Sequence, residues 1–140
     1  MKAIIIEDET AALSSLKAVL QQNSVVEIEV IAELESIEDS VEWFQCSLQP
    51  DLIFMDIFMD GMLGMEAARC LRRYAPHVSI VFLTTTPAYA LESYDVYAYG
   101  YLVKPLDGEK TAALLRRFLQ EEYEGNQKTL LLKKGCRGRR

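Results

Sequence analysis

The chain is poor in residues that build covalent frameworks or soft-metal sites: one histidine, one tryptophan and three cysteines in 140 residues. Cys46, Cys70 and Cys136 make no C-x-x-C and no Cys/His spacing, which excludes the usual zinc site and a disulfide framework. Cys46 and Cys70 are therefore expected to be packing residues. No G-x-G-x-x-G or P-loop follows the first apolar run, which argues against nucleotide or flavin binding. No apolar run approaches the ~20 residues of a membrane span, and the N-terminus reaches Glu7 without an apolar leader. No membrane segment is expected, and a reducing, cytoplasmic setting follows. Acidic residues are also missing after Glu124, where Lys128, Lys133, Lys134, Arg137, Arg139 and Arg140 stand. The formal charge of −6 thus conceals a body near −12, and phosphate repulsion argues against nucleic-acid contact by that body.

What the chain does have is an alternation of short apolar runs and helical stripes. Residues 3–6 are continuously apolar, and Ala12, Leu13, Leu16 and Leu20 recur at helical spacing over residues 9–22. A second strand is expected over 25–32. A second helix follows on Ile37, Val41, Phe44 and Leu48, closed by Pro50. The third strand (52–55), a loop (58–63), a helix (64–74) and a fourth strand (78–83) come next. A weaker helix over 88–96, a short strand over 101–103 and a last helix over 107–123 complete the pattern. Five strand–helix alternations imply an α/β fold, a doubly wound parallel sheet with helices on both faces. Its central strands should be apolar throughout, as 3–6 and 52–55 are. Beyond Glu124, Gly125 and Asn126 read as a linker, and residues 129–132 as the start of a strand without a partner. That segment is either a solvated tail or the opening of a further domain.

Four of the apolar runs end in a polar group: Glu7 and Asp8, Asp56, Thr84, and Lys104. In a doubly wound sheet those positions share the crevice at the carboxyl ends of the strands, where ligands bind. Three carboxylates converging without a histidine repel one another unless a cation sits among them. An oxygen-only donor set favours a hard ion, and an open carboxylate site suits Mg²⁺. Such a site accepts a phosphoryl group, with Lys104 as ammonium, Thr84 as hydroxyl donor and Asp56 as nucleophile. Taken alone, Asp8 would serve equally as a helix cap; the convergence of five groups at matching strand ends points to a site.

These residues together resemble the receiver domain of two-component response regulators, over residues 2–123. The acidic pair matches Glu7 and Asp8, the phosphoacceptor Asp56, the hydroxyl residue Thr84, and the lysine–proline step Lys104 and Pro105. The resemblance implies a flavodoxin-like five-stranded sheet of order 2-1-3-4-5. It also implies Mg²⁺ held by Asp8, Asp56 and the backbone carbonyl of Phe58, with Glu7 close by, and Tyr101 as the switching aromatic. Phosphorylation of Asp56 by a sensor histidine kinase would then alter the surface of the fourth helix, fifth strand and last helix. That surface is rich in tyrosine here (Tyr89, Tyr94, Tyr97, Tyr99, Tyr101) and would control homodimerisation or an output domain. Residues 84–105 are most similar to receivers of LytTR-type transcriptional regulators, and 130–135 to the opening strand of their DNA-binding domain. The expected division is a receiver over 1–124 and a linker and basic tail over 125–140, the start of a truncated output domain. DNA would be reached only through that domain. The chain would not be an enzyme beyond its own phosphorylation and dephosphorylation. The alternative is a receiver-like binding module that works without phosphate. Glu7 for the common aspartate, and Met59, Asp60 and Gly61 for a Met-Pro-Gly loop, depart from the family pattern.

Overall fold

A computed structural model describes residues 1–46, 49–59, 62–85 and 97–135. The helix expected over 88–96, Tyr89, Tyr94, Leu48, Asp60, Gly61 and residues 136–140 lie outside them. In chain order the elements are β1 (Lys2–Ile6), α1 (Thr10–Gln22), β2 (Glu29–Leu34), α2 (Ile37–Cys46), β3 (Leu52–Asp56), β4 (Phe58–Met59), β5 (Met62–Leu63), α3 (Gly64–Arg72), β6 (Ser79–Thr84), β7 (Gly100–Val103) and α4 (Gly108–Gly135).

Five strands form one parallel sheet of order β2-β1-β3-β6-β7, the 2-1-3-4-5 order of a flavodoxin-like sheet once the small hairpin β4-β5 is set aside. Side chains alternate across a strand, so each central run feeds two cores. Ile4, Ile6, Ile53 and Met55 pack with Phe44 of α2 and with Ala68 and Leu71 of α3. Ala3, Ile5, Leu52 and Phe54 pack on the other face with Leu16 and Leu20 of α1 and with Leu114, Leu115 and Phe118 of α4. Phe54 is fully buried in the second core. Phe54→Ala is expected to cost about 3–5 kcal/mol in urea unfolding, because the emptied volume adds to the lost transfer energy. Truncating Val103, 38 % exposed, is expected to change stability by less than about 0.5 kcal/mol.

Three elements and the exposure of one side chain differ from the sequence-based expectation. β2 starts at Glu29, not 25, because the Asn23 carboxamide accepts the N–H groups of Val25 (2.9 Å) and Val26 (3.0 Å) and holds them in a turn. The loop over 58–63 carries a two-residue antiparallel hairpin, Phe58 opposite Leu63 and Met59 opposite Met62. The last helix does not stop at 123, and residues 129–132 do not begin a strand: α4 runs on to Gly135. An isolated glycine costs a helix about 1 kcal/mol relative to alanine. No proline follows Gly125, and the surrounding glutamate, glutamine, lysine and leucine residues favour helix. Finally, Cys70 is exposed rather than packed, since its neighbours Ala68 and Leu71 take the inward face of α3. Among the described residues, no helix is long and apolar enough to cross a membrane.

Candidate functional site

The parallel ladder continues one residue past the strands and so fixes the site's backbone. Glu7 N–H donates to Leu34 O (2.9 Å), Ile57 N–H to Leu83 O (3.0 Å) and Lys104 N–H to Thr84 O (2.6 Å). Ile6 pairs with Met55 and Asp56 with Leu83, which sets Glu7, Asp56 and Thr84 side by side on neighbouring strands. Thr84 pairs with Val103, one residue before Lys104. The Lys104–Pro105 bond is cis. Hydrogen bonds made for the sheet therefore gather five polar residues from 98 positions of sequence at one crevice.

Carboxylate oxygens of Glu7, Asp8 and Asp56 lie within 4.8 Å of one another. Glu7 is 2 % exposed and Asp56 8 %, while Asp8 is exposed and opens the cluster to solvent. Lys104 reaches in as the counter-charge: its Nζ is 3.4 Å from Asp56 Oδ2 and 3.6 Å from Glu7 Oε2. One ammonium does not balance three carboxylates, and the most deeply buried of them, Glu7, bears the cost. Burial first, and then the charge of Asp56 and a hydrogen bond shared with it, push the Glu7 carboxyl from 4.5 up to about 7. Lys104 and the Glu9 N–H pull the other way without cancelling the rise. The Glu9 N–H donates to Glu7 Oε1 at 3.2 Å, which orients that carboxyl, whereas Glu7 Oε2 is buried without a hydrogen-bond partner.

These observations test whether the residues suit a cation. A buried carboxylate oxygen that receives no hydrogen bond and has the Lys104 ammonium no nearer than 3.6 Å, in an oxygen-only group of three acids that includes no histidine or cysteine, has the character of a hard divalent-cation site. The capping reading of Asp8 finds no support: Glu9 occupies the cap position of α1, and no side-chain cap bond is made there. Phe58 opens β4 two residues beyond Asp56. Tyr101 lies on the edge strand β7, 39 % exposed and next to Phe82 in register. Tyr97 is 83 % exposed, whereas Tyr99 packs edge-on against Phe118 and accepts a hydrogen bond from Arg117 Nε (3.1 Å). The Glu9 main-chain donor was not foreseen from sequence, because a backbone N–H leaves no mark in residue type.

Residues 3–116 match the model of the response regulator receiver domain. The sensory transduction protein LytT of Bacillus cereus is 32 % identical over 122 residues, covering 87 % of this chain and 48 % of LytT. The transcriptional regulatory protein BtsR of Escherichia coli is 33 % identical over 122 residues, covering 86 % of this chain and 49 % of BtsR. The chain thus spans about half the length of these relatives. Among solved structures, the response regulatory domain of protein mrkE from Klebsiella pneumoniae superimposes with a TM-score of 0.76 at 25 % identity, covering 89 % of this chain and 99 % of that one. The chemotaxis response regulator CheY4 of Vibrio cholerae gives 0.65 at 26 % identity, covering 84 % and 97 %. With the family model covering most of the sheet and all five crevice residues, the chain belongs to the response regulator receiver domain family, of the kind found in LytT- and BtsR-type regulators.

Proposed function

We propose that this receiver is a phosphoacceptor switch whose nucleophile is Asp56, phosphorylated by a sensor histidine kinase or a small phosphodonor. The observation that carries the reading is the meeting, at the strand ends, of Asp56 with two further carboxylates and with Lys104 at 3.4 Å. An Asp56 oxygen attacks phosphorus in line as the bond from phosphorus to the donor breaks, and the leaving group departs with that electron pair. Lys104 moves from carboxylate to phosphoryl oxygens as negative charge gathers on them, and the Thr84 hydroxyl donates to one of them. Glu7, Asp8 and Asp56, with the Phe58 carbonyl, would hold Mg²⁺, which supplies charge neutralisation for the incoming phosphoryl oxygens.

The switch face in this proposal includes β7 and α4. Tyr101 turns inward when Thr84 is drawn to the phosphoryl group, and the altered face governs dimerisation or an output domain. Because LytT and BtsR are regulators about twice the matched length, transcriptional output through a domain joined by residues 125–140 belongs to the proposal. DNA is contacted by that domain, not by the acidic body, and the setting is cytoplasmic. The chain is not an enzyme acting on separate substrates. A phosphatase would need a general acid two residues after its nucleophile, and Phe58 stands there.

Intact-protein mass spectrometry after incubation with acetyl phosphate and Mg²⁺ tests the reading. The expected result is a gain of one phosphoryl group that disappears when Mg²⁺ is chelated. No gain in either condition would replace the reading by a receiver-like module that binds partners without phosphate.

A further inference from the structure

Arg72 ends α3 and is committed to main-chain carbonyls on two separate segments. One guanidinium nitrogen donates to Ala75 O (3.2 Å) and Val78 O in the turn that leads into β6, with Pro76 O at 3.5 Å. The other donates to Tyr97 O at 3.1 Å, 25 residues further along the chain. Tyr97 is the one non-glycine among the described residues with a left-handed backbone, φ 55°. That conformation is disfavoured for an L-residue and persists where the surroundings hold it. Arg72 supplies such a hold.

The place of this contact gives it a consequence. Among the described residues β7 is a four-residue edge strand paired with β6 alone, so its position rests on few backbone bonds. Tyr97 lies three residues before it, and Lys104 follows its last residue. Asp56 ends β3, and the chain from there runs through the hairpin and α3 to Arg72. At the end of the sheet remote from the crevice, the guanidinium therefore ties the turn that enters β6, whose last residue is Thr84, to the segment that enters β7 and delivers Lys104.

We propose that Arg72 is a positioning residue: its latch on Tyr97 sets the register of β7 and, through it, the approach of Lys104 to Asp56. The consequence for chemistry rests on the phosphoacceptor reading of those two residues. The forked donor is essential, because a lysine ammonium presents a point charge that cannot serve the turn and Tyr97 together.

Amide hydrogen exchange by NMR on the full chain tests the latch with Arg72→Lys and Arg72→Ala, using Arg73→Ala as a charge control. Exchange at Tyr99, which donates to Ile80, and at Lys104, which donates to Thr84, is expected to accelerate roughly tenfold in both Arg72 variants. In Arg72→Lys, the core amides of Ile5 and Phe54 should keep their parental rates, and Arg73→Ala should match the parent throughout. The maximal rate of phosphoryl gain from acetyl phosphate should fall severalfold in Arg72→Lys. Equal acceleration at core and β7 amides would reduce Arg72 to a general stabiliser and overturn the proposal, as would unchanged exchange at β7. Exchange decides the latch whether or not the parent takes up phosphate, so failure of the phosphoacceptor reading remains distinguishable.

Discussion

Asp56→Asn is expected to abolish phosphoryl incorporation from acetyl phosphate while the protein stays folded. The amide that replaces the carboxylate keeps its shape but has no anionic oxygen to attack phosphorus. The backbone at this position is fixed by pairing with Leu83 and by the Ile57 N–H to Leu83 O bond, neither of which uses the side chain. The change should also raise metal-free stability at neutral pH, by about 1 kcal/mol, because the charge of Asp56 is the largest cause after burial of the rise at Glu7. Against this stands the loss of the Lys104–Asp56 pair. Lys104 retains Glu7 at 3.6 Å and is partly hydrated, so relief of repulsion among the carboxylates wins. Intact mass before and after treatment, with melting curves in chelator, checks both halves. A phosphoryl group on the variant would place the nucleophile elsewhere, and a lower melting temperature without Mg²⁺ would contradict the repulsion argument.

The parts of this molecule that were legible in its sequence are those that rest on repeated local patterns. Residues 3–6 and 52–55 read as buried strands because a parallel sheet covered on both faces leaves no polar position in its centre. Glu7, Asp56, Thr84 and Lys104 read as one site because every parallel strand delivers its last residue to the same edge. The misreadings arise where one side chain or one weak signal decides. Asn23 takes two N–H groups from Val25 and Val26 and delays β2, a competition that apolar periodicity does not register. The hairpin at Phe58 and Met59 is too short to show alternation. Gly125 reads as a break because glycine so often ends helices, yet the propensities on either side outweigh one residue's cost. Within the site, residue types were legible and energetics were not: that Glu7 is buried while adjacent Asp8 is exposed follows from where α1 begins and how Glu9 turns its N–H back.

Glu7 gives the metal-free protein an inverted pH response. Its folded-state value of about 7 stands above 4.5, so between those limits the native protein keeps a proton that the unfolded chain has released. Stability from this group is therefore fully present below about 4.5 and is lost as pH rises through about 7. The full loss is at most about 3 kcal/mol, by the factor of 1.36 kcal/mol per pKa unit. Mg²⁺ should act in the opposite sense, since its ligands must be ionised: it should raise the melting temperature markedly at pH 8 and little at pH 5. Glu7→Gln isolates the group, because every other titration is common to parent and variant. The amide still accepts the Glu9 N–H but cannot ionise, so the variant should be the more stable protein at pH 8 in chelator and should lose most of the stabilisation by Mg²⁺. Melting curves of both proteins at pH 5, 6, 7 and 8, with and without Mg²⁺, measure this. Identical pH slopes for parent and variant in chelator would show that Glu7 carries no displaced proton, and equal Mg²⁺ stabilisation would remove it from the cation site.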